Sequence, residues 1–421
     1  MDINKLLKGV NCDCGKNHTC DIEYVYIEEN ATEHLIEICH NYKNILIVAD
    51  QNTFNAAGKI TLENLTDKNI KKVIFDGNKI LIPNEYAIKT VTDNLDDTQI
   101  IIGIGSGVIQ DLCKYVSYFN NIPYIIVATA PSMDGYASNG AAMITEGMKN
   151  TYAAGLPLAI IADTEVLANA PIDMIKAGFG DVIGKFSALN DWKLSNLINN
   201  EYFCDYIYNL TYEQIIITLN LADGILKRDK KSIQALMEAL VVIGILMSFA
   251  GSSRPASGSE HHLSHFFEIT GIIDNTDYFP HGIDVAYSTV ITAQIREKLL
   301  NQNFPDKIYR EADLYSKINT IYKQSADGCI KLQEKMGRYE NTKISTYLNN
   351  ENEIKKILAE MPTASEIINM LSFVDLDISE FYSLYSEEKI NNAILYAKDL
   401  KDRYTVLWLN YDLFGGDKNV Q

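Results

Sequence analysis

Positive charge is scarce in this chain: 37 Lys and Arg stand against 55 Asp and Glu, a formal net charge of −18. A nucleic-acid partner is therefore not expected, because neutralising phosphates needs clustered Lys and Arg. A few local cations can still hold a small anionic substrate, since salt screens the distant field within about 10 Å. Long apolar stretches are missing too. No run of 18 or more consecutive apolar residues appears, so no membrane span is expected. The N-terminus, MDINKLLKGVNCDCG, carries neither an apolar core nor a small-residue cleavage site, which points to the cytoplasm. The seven cysteines are an odd number, and free thiols are the default in a reducing compartment. The segment Cys12 to Cys20, CDCGKNHTC, has C-x-C spacing in place of the C-x₂-C of a zinc knuckle. A loop of reduced thiols is expected there, ahead of a structural zinc site. No internal repeat or low-complexity segment stands out. At 421 residues the chain exceeds what one core serves, and two domains are expected.

The first half alternates two periodicities. Apolar, β-rich runs at Asn44–Ala49, Lys72–Phe75, Gln99–Ile102, Tyr124–Val127 and Leu158–Ile161 read as strands, and the segments between them carry helical spacing. Such alternation predicts a parallel sheet covered on both faces, with ligands at the carboxyl ends of its strands. The loop Gly103-Ile104-Gly105-Ser106-Gly107 sits at one such end and opens a helix. Its glycines let backbone N–H groups approach a pyrophosphate, and the helix offers its positive N-terminus. Asp50 ends another strand. A carboxylate there can accept from an adenosine ribose diol and repel a 2′-phosphate, which favours NAD over NADP; it is equally a helix cap. The loop Ala128–Ser138 has Asp134 as its one charge. Thr129, Ser132 and Ser138 offer hydroxyls to a cofactor, and Asp134 suits a substrate hydroxyl.

From Pro171 onward helical segments follow one another: Asp173–Leu197, Tyr212–Arg228, Lys231–Phe249, Glu260–Ile269, Ile283–Leu300, and more to about Leu409. The expectation is a Rossmann-like α/β domain over residues 1–165 and an all-α domain over 166–421. The active site is expected in the cleft between them. Histidine is rare, seven in all, yet His261, His262, His265 and His281 fall close together. On a helix His261 and His265 share a face, while His262 points about 100° away. Imidazoles suit a borderline divalent metal or proton transfer. A carboxylate is still needed, and Asp181 in GFGDVIGK supplies one, in a helix where Asp is disfavoured without a partner. Asp181, His261 and His281 would leave open positions on a metal for substrate.

The set GIGSGVIQD, TAPSMDGYAS, GFGDVIGK, SRPASGSEHHLSH and PHG resembles the sn-glycerol-1-phosphate dehydrogenases of the iron-containing alcohol dehydrogenase and dehydroquinate synthase superfamily. The resemblance runs from about Ile45 to Leu300. The Cys-rich N-terminus and the tail beyond about residue 300 are less informative, the tail looking like the longer extension of bacterial members. The resemblance implies reduction of dihydroxyacetone phosphate to sn-glycerol 1-phosphate with NADH or NADPH. It implies a divalent metal on Asp181, His261 and His281: zinc, as in archaeal members, nickel, as in bacterial ones, or iron. His262 competes with His261 as the ligand. Pyrophosphate would lie on Gly105, Ser106, Gly107, Val108, Ile109, Gln110 and Asp111. Thr129, Ala130, Pro131, Ser132 and Ser138 would also touch the cofactor. Asp134, Asp181 and His265 would contact substrate, with Asp134 and His265 catalytic, His265 delivering a proton. Arg254 and Lys185 are candidate donors to the substrate phosphate. A homodimer is also implied. Three competing readings stay open: a glycerol or other polyol dehydrogenase, a dehydroquinate synthase-like cyclase, and a binding protein without catalysis. The lack of Lys and Arg in TAPSMDGYAS counts against a cyclase.

Overall fold

The computed structural model describes residues 3–79, 81–145, 148–340 and 343–415, with backbone alone at 148–150. The chain forms two compact units, one of residues 1–179 and 216–252, the other of 180–215 and 253–421.

In the first unit six strands form one sheet in the spatial order Tyr24–Glu28, Ala159–Asp163, Tyr124–Ala128, Ile100–Gly105, Asn44–Asp50, Asn69–Phe75. Every pairing is parallel, as the alternation predicts. The central strands are buried along their whole length, which is why they read as unbroken apolar runs. The edge strand Tyr24–Glu28 was not expected; its burial alternates, a weak signal over five residues. From Asn44–Asp50 the chain moves outward to Asn69–Phe75, then returns to the opposite neighbour, Ile100–Gly105. This reversal makes a switch point at the carboxyl ends of those two strands, where ligands of open α/β sheets bind. The Gly-rich loop and Asp50 both sit there.

Helix Lys230–Ala250 belongs to the same unit. It has the length and hydropathy of a membrane span, contrary to the expectation drawn from unbroken apolar runs. However, 78% of its most apolar window is buried inside the protein, as suits a core helix apolar on all sides. Gly244 lets it approach the loop at Asp134–Ala137: an added Cβ would stand 2.8 Å from the Asp134 carbonyl oxygen.

The second unit is helical. Helix Ile172–Asn199 enters it at residue 180, and helices Ser259–Asp274 and His281–Leu300 pack on one another. A buried ion pair braces this core. Arg296 Nη2 lies 2.7 Å from Asp191 Oδ1, and Arg296 also donates to Asn190 Oδ1 and to the Thr292 and Ser187 carbonyls. Asp191 in turn accepts from the backbone N–H of Ser259 at 2.6 Å and of Val406 at 2.8 Å. Both partners are thus saturated with hydrogen bonds, the condition under which a buried pair is tolerated.

Two glycines offer a test of the packing. A Cβ at Gly178 would meet the Pro131 carbonyl oxygen at 1.8 Å, whereas one on helical Gly328 would meet nothing within 4 Å. Gly178→Ala should lower the thermal midpoint, with overpacking costing on the order of 1–3 kcal/mol. Gly328→Ala should hold or raise it, by up to about 1 kcal/mol of helix propensity. Thermal melts followed by circular dichroism check both.

Candidate metal centre and dinucleotide loop

The metal candidates owe their meeting to two more glycines. An added Cβ at Gly180 would stand 2.4 Å from the Gly282 carbonyl oxygen, and one at Gly184 would stand 2.5 Å from Val285 Cγ1. Glycine at both positions lets helix Ile172–Asn199 lie almost backbone to backbone with the start of helix His281–Leu300. Asp181 lies between those glycines and His281 opens the facing helix, so the close approach brings carboxylate and imidazole together. His261 comes from the first turn of helix Ser259–Asp274. Asp181, His261 and His281 each offer one ligand atom, and these atoms all lie within 4.8 Å of one another.

His261 is held in the tautomer a metal needs. Its Nδ1 lies 2.7 Å from Glu260 Oε1, so Nδ1 carries the proton and the Nε2 lone pair is left to face Asp181 Oδ1 at 3.6 Å. A carboxylate behind the far nitrogen of a ligating histidine is a recurrent device. Glu260 is wholly buried; burial raises its pKa, against the N–H of Gly258, which donates to Oε1 at 2.8 Å. Ser264 Oγ lies 3.4 Å from His281 Nδ1. One carboxylate and two imidazoles on rigid helices, in a buried setting, fit a borderline divalent cation.

His265 belongs to the same cluster. Its ring centroid is 6.1 Å from that of His261 and 5.5 Å from that of His281. His262 does not join it. That residue is fully buried, and neither ring nitrogen has a hydrogen-bond partner among the described residues. Burial first, then the charges of Arg403, Lys401 and Arg254, hold its pKa well below the histidine range. It is neutral, and it stands outside the group formed by Asp181, His261 and His281.

The two proposed phosphate donors have other partners. Arg254 is buried: its Nε donates to Glu201 Oε1 at 2.6 Å, its Nη1 to the Tyr404 carbonyl at 2.9 Å, and its Nη2 to Glu201 Oε2 and Ser195 Oγ. Its fork is committed to Glu201, so the structure does not direct it at a substrate. Lys185, also fully buried, donates to Asp181 Oδ1 at 2.6 Å. One helical turn separates them, and the ammonium balances the carboxylate it holds.

In the first unit the strand Ile100–Gly105 runs into Ser106, and helix Gly107–Asn120 follows, the context that a phosphate-binding turn requires. A Cβ on Gly105 would meet Ile109 Cβ at 2.5 Å, so glycine there seats the first helical turn against the strand end. Thr129 N donates to the Gly105 carbonyl at 3.1 Å, which ties the two candidate loops together. Several predicted contact residues instead build the loops. Ile109 is buried. Gln110 Nε2 donates to the Tyr136 carbonyl and lies 3.1 Å from Tyr124 Oη. The Ala130 carbonyl accepts from the Tyr136 hydroxyl at 2.7 Å, and Pro131 packs on Gly178. Gly107, Val108, Asp111, Ser132 and Asp134 keep partial exposure. Asp50 Oδ1 accepts from the N–H groups of Asn52 and Thr53 at 2.8 and 2.9 Å in a capping box; the cap is what this carboxylate does in the structure.

Three residues escaped the sequence reading. Lys114 is buried and donates to the carbonyls of Gly135 and Gly140 at 3.0 and 2.9 Å, and lies 3.3 Å from Ser138 Oγ. Burial lowers its pKa, opposed by Asp111 and Asp134. It fixes the loop that carries Asp134. Glu260 orients His261, and Asp191 anchors the start of the histidine helix. A lone charge in an amphipathic helix reads as solvent-facing, so only the neighbour position of Glu260 carried any signal.

Known proteins resemble this chain in sequence and in fold. The profile of the family described as "Iron-containing alcohol dehydrogenase" matches residues 26–171. A protein of Bacillus licheniformis named glycerol-1-phosphate dehydrogenase [NAD(P)+] is 31% identical over 94% of this chain and 90% of its own length. One of the same name from Geobacillus thermodenitrificans is 36% identical over 67% of this chain and 72% of its own. Among solved structures, an alcohol dehydrogenase from Oenococcus oeni superposes with a TM-score of 0.60 at 14% identity, covering 92% of this chain and 94% of its own, a likeness of fold. Carried by the near-full-length bacterial relative, the conclusion is that the chain belongs to the glycerol-1-phosphate dehydrogenase family, among the iron-containing alcohol dehydrogenases.

Proposed function

We propose that this protein is an enzyme that reduces dihydroxyacetone phosphate reversibly to sn-glycerol 1-phosphate, with NAD(P)H as the hydride donor and a divalent metal held by Asp181, His261 and His281. The observation that carries the reading is the convergence of those three side chains on rigid helices, in a chain whose near-full-length relative bears that activity in its name. When bound, the metal supplies a Lewis acid to the carbonyl oxygen and the nicotinamide supplies hydride.

The chain's own residues do the rest. Glu260 keeps the proton on His261 Nδ1, and Lys185 holds the Asp181 carboxylate in place. We assign His265 to proton delivery at the substrate oxygen, since its ring stands beside those of His261 and His281 and a positioned imidazole is the commonest general acid. We assign Asp134 to a substrate hydroxyl, on a loop fixed by Lys114. The dinucleotide is assigned to the backbone around Gly105, Ser106 and Gly107, with Val108, Asp111, Thr129, Ser132 and Ser138 beside it. We further propose a homodimer in the cytoplasm, a compartment that keeps cysteine thiols reduced. Zinc, nickel and iron all suit the donor set.

NAD(P)H oxidation should be rapid with dihydroxyacetone phosphate and slow with dihydroxyacetone; equal rates would remove the phosphate from the reading and leave a polyol dehydrogenase. His261→Ala should lose the metal, whereas His265→Ala should keep it and lose on the order of 10²–10⁴-fold in turnover, the range of general acid–base catalysis. Metal analysis beside steady-state kinetics separates the two, and metal retained in His261→Ala would count against the ligand assignment. Gly180→Ala should fold but bind metal more weakly, because its methyl group must push the Gly282 carbonyl and hence His281 away from Asp181. Metal titration of the purified variant checks this, and an affinity equal to that of the parent would contradict the close-approach argument.

A further inference from the structure

We propose that Cys12, Cys14 and His18 bind a second metal ion, a zinc-like divalent cation held by two thiolates and one imidazole, whose role is to fasten the N-terminal hairpin. The hairpin pairs Val10 with His18 and Asn11 with Asn17 in antiparallel register. Its loop is drawn tight: Cys12 N donates to the Lys16 carbonyl at 3.2 Å, Gly15 N to the Cys12 carbonyl at 3.0 Å, and Gly15 takes the left-handed φ of +85° that the turn demands. The consequence is convergence. The sulfurs of Cys12 and Cys14 and a ring nitrogen of His18 all lie within 4.8 Å of one another, and Cys14 Sγ is 3.4 Å from His18 Nε2. A tetrahedral zinc ion, with bonds of about 2.3 Å to sulfur and about 2.0 Å to nitrogen, sets ligand atoms roughly 3.5–3.8 Å apart. The sulfur–nitrogen separation already matches.

The second, independent observation concerns His18. The residue is buried, and its Nδ1 lies 3.0 Å from the Phe249 carbonyl oxygen. A carbonyl only accepts, so Nδ1 carries the proton. The Nε2 lone pair is then the one aimed at the sulfurs, which is how a ligating histidine is oriented by a backbone carbonyl behind it. The ring also stacks on Phe249, with centroids 5.3 Å apart and planes 13° apart. The imidazole is therefore fixed in ring plane, tautomer and direction.

A purpose follows from size. Two-residue strands bury too little to hold a hairpin alone, and small elements of this kind are commonly stapled by metals or disulfides. Among the described residues no disulfide staples this hairpin. The hairpin lies on helix Lys230–Ala250 through His18 and Phe249, and an ion on its loop would lock that contact. A C-x-C-x₃-H set differs from the spacing on which zinc sites are usually recognised, which is why the thiol loop seemed the better reading of the sequence.

Cobalt(II) substitution of the full-length protein tests this, because thiolate ligation gives an intense near-ultraviolet charge-transfer band that a carboxylate–imidazole site cannot give. The His261→Ala protein should still take up about one equivalent of cobalt per chain with that band, which separates this site from the proposed catalytic one. Cys12→Ser/Cys14→Ser should lose the band and one metal equivalent while keeping kcat and KM. In the unaltered protein, zinc should slow alkylation of Cys12 and Cys14, read by peptide mass mapping, at least tenfold relative to chelator-treated protein. This holds whether or not the variants fold. Cobalt-loaded protein without the thiolate band, or equal alkylation with and without zinc, would overturn the proposal.

Discussion

The near-contact of two helix backbones at Gly180 and Gly184 is the constraint on which the rest of the candidate centre depends. Side chains at those positions would wedge helix Ile172–Asn199 away from Gly282 and Val285. The ligand atoms of Asp181 and His281 must lie within 4.8 Å of each other, a separation that a single inserted methyl group can spoil. Packing at this density does not yield gradually. The glycines are thus part of the geometry that brings Asp181 and His281 together, although neither offers a donor atom. Their cost in helix propensity, about 1 kcal/mol each, is offset by the contact they permit.

Charge buried around that contact is handled in pairs. Asp181 faces Lys185, Glu260 faces His261, and Asp191 faces Arg296. An unpartnered charge in such a place would cost several kcal/mol, and removing one member of a buried pair typically costs about 3–5 kcal/mol. The pairs therefore do two things. They make the interior tolerable for ionised groups, and they leave few ways for the ligands to turn. Asp191 extends this to the backbone by holding the N–H of Ser259, two residues before His261. The ligand set is positioned from behind on two of its three sides, the condition a metal site needs to be ready before the ion arrives.

Much of this was legible in the sequence, and the unread part has a common cause. The central strands announced themselves because a parallel sheet buries both faces, so Asn44–Asp50 and Ile100–Gly105 are continuous apolar runs. The pairing of Asp181 with His261 and His281 was reachable from residue type and family likeness. The short edge strand Tyr24–Glu28 was missed because partial exposure leaves only a brief alternation. The partner of Arg254 was not legible because a guanidinium near a histidine cluster looks the same in sequence whether it faces a ligand or a carboxylate such as Glu201, some fifty residues away. Lys114 and Glu260 were unread for the same reason: burial of a charge is a tertiary fact, and no local pattern records it. His262 shows the reverse case, where helical geometry alone separated it from His261.

The claim at the centre is that turnover requires a divalent ion on Asp181, His261 and His281. The most direct measurement follows NAD(P)H oxidation by dihydroxyacetone phosphate on one preparation before chelation, after exhaustive stripping and after metal is returned, with metal content determined each time. The account predicts a fall to background on stripping and recovery on return of a single metal. A stripped protein, verified to hold no metal, that turns over at the original rate would contradict it.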